Sequence, residues 1–180
     1  MIGRNAGTAI TTGTPNTIIG GRAGQALTTG NYNTVVGQEA LKDATIATGT
    51  TAMGHQAGQT VTGNNNTIIG TEAGQASTSI GNTVMVGRQA GGGAVGTGVS
   101  NVFIGAGAGY AATSAAKNVI IGMNAGYALG SHGGSTIIGF EAGRFQDAGT
   151  GGSVAIGHQA LYSGTQNYQD VAIGYNAGRK

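Results

Sequence analysis

The chain has 180 residues, 38 of them glycine, with one proline, no cysteine, 8% charged residues and a net charge of +2. So much glycine disfavours helix, since each interior glycine costs ~1 kcal/mol relative to alanine, and without a three-residue glycine period the chain is not collagen. Low charge beside 39% apolar residues excludes simple disorder, and the missing cysteines exclude disulfides and thiolate metal sites. There is no basic run to capture nucleic acid or an anionic membrane.

Along the chain one short phrase returns: an aliphatic residue and glycine, two variable residues, then alanine. Its glycines are Gly3, Gly20, Gly37, Gly54, Gly70, Gly87, Gly105, Gly122, Gly139, Gly157 and Gly174, at intervals of 16 to 18 residues. A period so short and regular predicts a β-solenoid of about eleven coils, each of roughly 17 residues. Residues 1–180 form one repeat array, expected to be uncapped at both ends, as in a segment of a longer fibre. The first residues already lie inside a repeat and carry no signal-peptide pattern. Apolar runs are too short for a transmembrane helix.

Each phrase glycine from Gly20 onward is preceded by three strand-forming residues, so the predicted strands run in order from Thr17-Ile18-Ile19 to Val171-Ala172-Ile173. Side chains alternate faces along a strand. The first column (Thr17, Thr34, Thr51, Thr67, then mostly valine) and the third (Ile19, Val36, Met53, Ile69 and onward) therefore share a face. That face is expected inside the coil. The middle column, with Ile18, Val35, Ile68, Met85, Phe103, Ile120 and Ile137, is then expected to point outward. As none of it is polar, it predicts an interface between identical chains around a common axis.

Alanine stands three residues after every phrase glycine, and glycine follows it except at Leu41 and Leu161. Small residues in every coil imply backbone passing close to backbone. Asn16, Asn33, Thr50, Asn66 and their equivalents are expected to bond to nearby backbone in a turn, and Gly13, Gly30, Gly63 and Gly98 to mark another bend. Each coil is thus expected to hold about two strands and two turns.

Phrases such as Asn16-Thr17-Ile18-Ile19-Gly20, Val154-Ala155-Ile156-Gly157 and Val171-Ala172-Ile173-Gly174-Tyr175-Asn176-Ala177-Gly178 carry a resemblance. They resemble the head repeats of YadA-like trimeric autotransporter adhesins, and glycine-rich repeats of bacteriophage tail fibres. The resemblance spans essentially the whole chain, with a longer period than those heads use. It implies a left-handed parallel β-roll, three chains per assembly, and a place on a bacterial cell surface or a virion tail.

Catalytic and metal-binding constellations are lacking in the sequence pattern, and no cofactor is expected. His55 and His158 share a column but lie roughly 29 Å apart at strand spacing, and His132 sits among glycines. Glu39, Glu72 and Glu141 share a column with Gln56, Gln89, Gln159, Asn5, Asn124 and Asn176 and never fall in adjacent coils. That pattern predicts a hydrogen-bonding ladder in place of a pair of catalytic carboxylates. Gly105-Ala106-Gly107-Ala108-Gly109 lacks the lysine of a phosphate loop. Directly after the alanine–glycine pair come Tyr110, Tyr127, Arg144 and Tyr162, with Phe140, Phe145, Tyr168 and Tyr175 nearby. These are candidates for glycan binding, against the plainer reading of an aromatic ladder that stabilises stacked coils.

The leading expectation is a non-enzymatic, homotrimeric fibre segment that gives rigidity and displays loops for attachment to a host-surface glycan or matrix protein. An ice-binding solenoid is the alternative, motivated by the threonines. A polysaccharide-degrading tailspike comes third, for want of a carboxylate pair.

Overall fold

The computed structural model describes residues 1–93, 96, 98–131, 133–146, 151–164 and 169–179. Strands β1 (Thr17–Ile19), β2 (Thr34–Val36), β3 (Thr51–Met53), β4 (Thr67–Ile69), β5 (Val84–Val86), β6 (Val102–Ile104), β7 (Val119–Ile121), β8 (Thr136–Ile138), β10 (Val154–Ile156) and β12 (Val171–Ile173) form one parallel sheet. They pair in chain order, so each neighbour is the next repeat. The register is strict: Thr17 faces Thr34, Ile18 faces Val35, Ile19 faces Val36, and so on to Ile156 opposite Ile173. This is a parallel β-solenoid. A second pair, β9 (Phe145–Gln146) with β11 (Ser163–Gly164), is also parallel. Elsewhere the coils are joined by single backbone bonds such as Gly24 N–H to Ala40 O and Ala26 N–H to Lys42 O, so the expected second strand per coil is mostly irregular backbone.

The strand faces are the reverse of the sequence expectation. Ile18, Val35, Ile68, Met85, Phe103, Ile120 and Ile137 are all fully buried within a single chain, and they form the core with the alanine column. Those seven residues therefore cannot meet a second chain. The first and third columns point outward instead, with Ile19 39% and Met53 40% exposed. The error has a physical source. Every position of these three-residue strands is apolar or threonine, so alternation separates two sets without saying which turns inward.

Glycine and alanine are required by the stacking, as expected. Ala23, Ala40, Ala57 and Ala73 are fully buried against neighbouring coils. The phrase glycines have φ between 129° and 137°, a region hostile to side chains. A Cβ at Gly54 would lie 2.6 Å from the Gly70 carbonyl oxygen, and one at Gly70 would lie 2.6 Å from that of Gly87. Gly30, Gly63 and Gly98 would likewise strike the carbonyls of Ala47, Ile80 and Ala115.

The two leucines that replace glycine fill space left by small neighbours. Leu41 and Leu161 both hold φ at 46°, the left-handed conformation of the glycines they replace. Leu41 Cδ2 lies 3.1 Å from where a Gly58 Cβ would be, so it reaches into the coil whose middle strand residue is only Ala52. Leu161 reaches the same site beside Gly178, where Ala172 is also close. Replacing Leu41 with glycine should cost about 2–5 kcal/mol in urea unfolding, as expected for a buried leucine lost to a cavity. Adding Ala52→Ile should recover most of that loss, and a double variant no more stable than Leu41→Gly alone would refute the volume exchange.

Asn16, Asn33, Asn66, Asn101 and Asn118 bond chiefly along the stack, where a local turn was expected. The Asn33 backbone N–H donates to Asn16 Oδ1 at 2.9 Å, and its Nδ2 donates to Ala47 O at 2.7 Å. Thr50 N–H donates to Asn33 Oδ1 at 2.9 Å, and Ser135 N–H to Asn118 Oδ1 at 2.8 Å. Asn33, Asn66, Asn101 and Asn118 are buried. Each satisfies backbone groups of an adjacent coil that water cannot reach.

Candidate functional site

Three features run along the solenoid: the outward sheet face, a partly buried polar ladder and an aromatic ladder. The sheet face comes from the strand columns. Its third column is aliphatic from end to end, with Ile69 and Ile104 each 37% exposed. Its first column carries threonine at β1 to β4 and β8 and valine at β5 to β7, β10 and β12. The face is therefore a band of methyl groups with hydroxyls grouped mainly towards the N-terminal end. Sequence reasoning assigned this face to the interior.

The polar ladder sits at the turn after each strand, and the expected amide bonds are present. Gln56 Nε2 donates to Glu39 Oε2 at 3.0 Å, Gln89 Nε2 to Glu72 Oε2 at 2.8 Å, and Gln159 Nε2 to Glu141 Oε2 at 2.8 Å. Arg22 pairs with Glu39 at 2.5 Å, and Arg144 pairs with Glu141. Nine members of the column (Asn5, Glu39, Gln56, Glu72, Gln89, Asn124, Glu141, Gln159 and Asn176) hold φ between 52° and 60°. The asparagines hinted at that conformation, which their short side chains tolerate best. The Gln56 hydrogen bond and then the positive charge of Arg22 hold the Glu39 carboxyl below its usual range, outweighing the opposing effect of burial. Glu39 therefore favours folding above the ordinary carboxylate pKa, and that contribution fades as pH falls through the lowered one.

No group of three or more His, Cys, Asp or Glu that could hold a metal occurs among the described residues. No helix among them is long and apolar enough to cross a membrane. His55 is exposed at the rim of the polar ladder. His158 is sandwiched between Phe140 and Tyr175, with ring centroids 5.0 Å apart on each side. His132 and Tyr168 lie outside the described residues.

The structure brings the remaining glycan candidates together. Tyr110 and Tyr127 stack with centroids 4.9 Å apart and planes within 9°. The Arg144 guanidinium lies 5.7 Å from the Tyr127 ring and 5.1 Å from that of Phe145. Phe145 meets Tyr162 edge-on at 5.5 Å, and Arg179 covers Tyr162 at 5.1 Å. Arg179 continues the column and was missed in the sequence, although its spacing after Ala177-Gly178 marks it. The Tyr110 and Tyr127 rings stack face to face from one coil to the next, so each covers one face of the other. Tyr110, Tyr127, Arg144 and Tyr162 are half-buried, and Arg179 is exposed.

No protein-family model, curated protein or solved structure matches the chain.

Proposed function

We propose that this chain is a non-enzymatic structural and adhesive segment of a homotrimeric fibre. It is displayed outside the cell, on a bacterial surface or a virion tail, as a left-handed roll of about eleven coils. The observation that supports this reading best is the outward aliphatic column from Ile19 to Ile173, carried by ten paired strands. At ~4.8 Å per strand it makes a stripe on the order of 45 Å long. Contiguous apolar surface of that extent marks an interface in most soluble proteins. Three copies turned about one axis cover it, with the threonine and valine column alongside. The stacked backbone supplies stiffness, and the turns between strands supply the surface displayed to a host or matrix.

Light scattering after size-exclusion chromatography tests the assembly. A mass near three times 17.5 kDa is expected. A stable monomer would overturn the reading.

The outward threonines favour one alternative, an ice-binding solenoid. Thr17, Thr34, Thr51 and Thr67 stand at strand spacing on a sheet face beside the isoleucine column, and Thr17 and Thr34 are exposed. That array is available to ice only if the face is uncovered. Monomeric mass together with inhibition of ice recrystallisation would establish it in place of the fibre.

A further inference from the structure

We infer that the column Tyr110, Tyr127, Arg144, Tyr162 and Arg179 binds a linear acidic polysaccharide laid parallel to the fibre axis. The inference deepens the attachment role proposed above, and it does not depend on how many chains assemble.

Its first support is position. The same column in earlier coils holds Gln25, Lys42, Gln59 and Gln75; Gln59 donates to Asp43, and Gln75 donates to Gln56 of the polar ladder. From Tyr110 onward, aromatic and cationic groups replace them, one per repeat. Tyr110 and Tyr127 stack in parallel, and the column recurs once per coil at about one strand spacing, ~4.8 Å.

The second support is charge. Among the described residues the Arg179 guanidinium makes one long hydrogen bond, 3.5 Å, to Asn176, and lies over the Tyr162 ring. Arg144 is bonded through Nη1 to Glu141, and its buried Nε has no partner among the described residues. The two arginines stand two coils apart with Tyr162 between them. An arginine fork is well shaped for a carboxylate.

The third is repeat length. One sugar of an extended chain advances by nearly the height of one coil, so carboxylates on alternate sugars fall at Arg144 and Arg179, with hydroxyls beside the tyrosines. An acidic peptide strand fits less well, because its same-side residues recur at about 6.7 Å and drift out of register within a few coils. Nucleic acid would require a far more basic surface than a chain of net charge +2 provides.

The test is calorimetric titration of the whole chain with oligogalacturonate of about ten sugars, at low and high salt, against a neutral glucan of equal length. The acidic oligomer should bind and the neutral one should bind at least tenfold more weakly. Arg179→Gln should weaken binding about tenfold, and Arg144→Lys, which keeps the charge but loses the fork, by several-fold. Glu141→Gln, which removes a competing carboxylate, should strengthen it. Lys42→Gln, in the same column among the early coils, should leave it unchanged. Circular dichroism confirms that each variant is folded. Absence of binding, equal binding of the neutral glucan, or equal loss in Lys42→Gln would overturn the inference. Those results would leave the fibre reading untouched, since the mass measurement judges it separately.

Discussion

Aspartate placed together at Ile69, Ile104 and Ile138 should turn the proposed threefold assembly into folded monomers, while aspartate at Ile68, Ile120 and Ile137 should abolish folding. The two sets differ by a single residue step, and they point to opposite sides of the sheet. The first set stands in the outward column, on alternate strands β4, β6 and β8, so the new charges do not sit directly beside one another. In an assembly each isoleucine contributes roughly 1.5–3 kcal/mol when fully covered. Three such losses per chain, with like charges brought together at the axis, exceed what a protein interface ordinarily holds in reserve. The second set is fully buried in the single chain. An unpaired carboxylate there costs several kcal/mol at each site, against a total stability of about 5–15 kcal/mol. Light scattering and circular dichroism read the two outcomes separately. An outward triple variant that keeps its threefold mass would eliminate the sheet face as the interface.

Gly70→Ala should be among the most damaging single-methyl changes this chain can suffer, whereas Gly21→Ala should be nearly silent. At Gly70, φ is 134° and the new Cβ would lie 2.6 Å from the Gly87 carbonyl oxygen. The backbone strain alone costs about 1–3 kcal/mol. Relieving the clash would also displace a carbonyl in the next coil, and with it the neighbouring ladder bonds. Gly21 is the adjacent phrase position in another coil, and a Cβ there meets nothing within 4 Å. Alanine at Gly21 should move the urea midpoint by no more than ~0.5 kcal/mol in free energy, the usual range for a surface change. Equal midpoints for the two variants would show that the glycine stack does not limit stability.

The contrast between those positions indicates what the sequence could reveal. The period, the parallel strands, the buried alanines and the Glu–Gln ladder were all legible, because each is a column whose chemistry repeats with one physical cause. The direction of the strand faces was not. Ile18 and Ile19 are the same residue, and nothing in a three-residue strand ranks one as more buriable. The deciding signal lay elsewhere, in the two leucines that break the glycine column. Leu41 and Leu161 occur beside Ala52 and beside Ala155 and Ala172, as expected if the middle column and the post-alanine column share one interior of fixed volume. The asparagine column was recognised as hydrogen-bonding, but spacing along one chain does not distinguish a partner in the same turn from one a full coil away. The aromatic column was located correctly. That Tyr110 and Tyr127 stack is visible only in the ring geometry.

The glycine stack also governs how such a chain can change in length. From Gly3 to Gly157 each phrase glycine is required by the next coil, so successive coils offer equivalent upper and lower faces to their neighbours. Excision or duplication of one whole unit leaves all surviving contacts in register. A one-residue slip within a strand would instead bring a side chain against a carbonyl. The intervals of 16 and 18 show that single insertions and deletions are accommodated between phrases. Length is therefore a counted quantity in this architecture, gained or lost in steps of one coil, and reach can be adjusted by recombination without redesigning the cross-section.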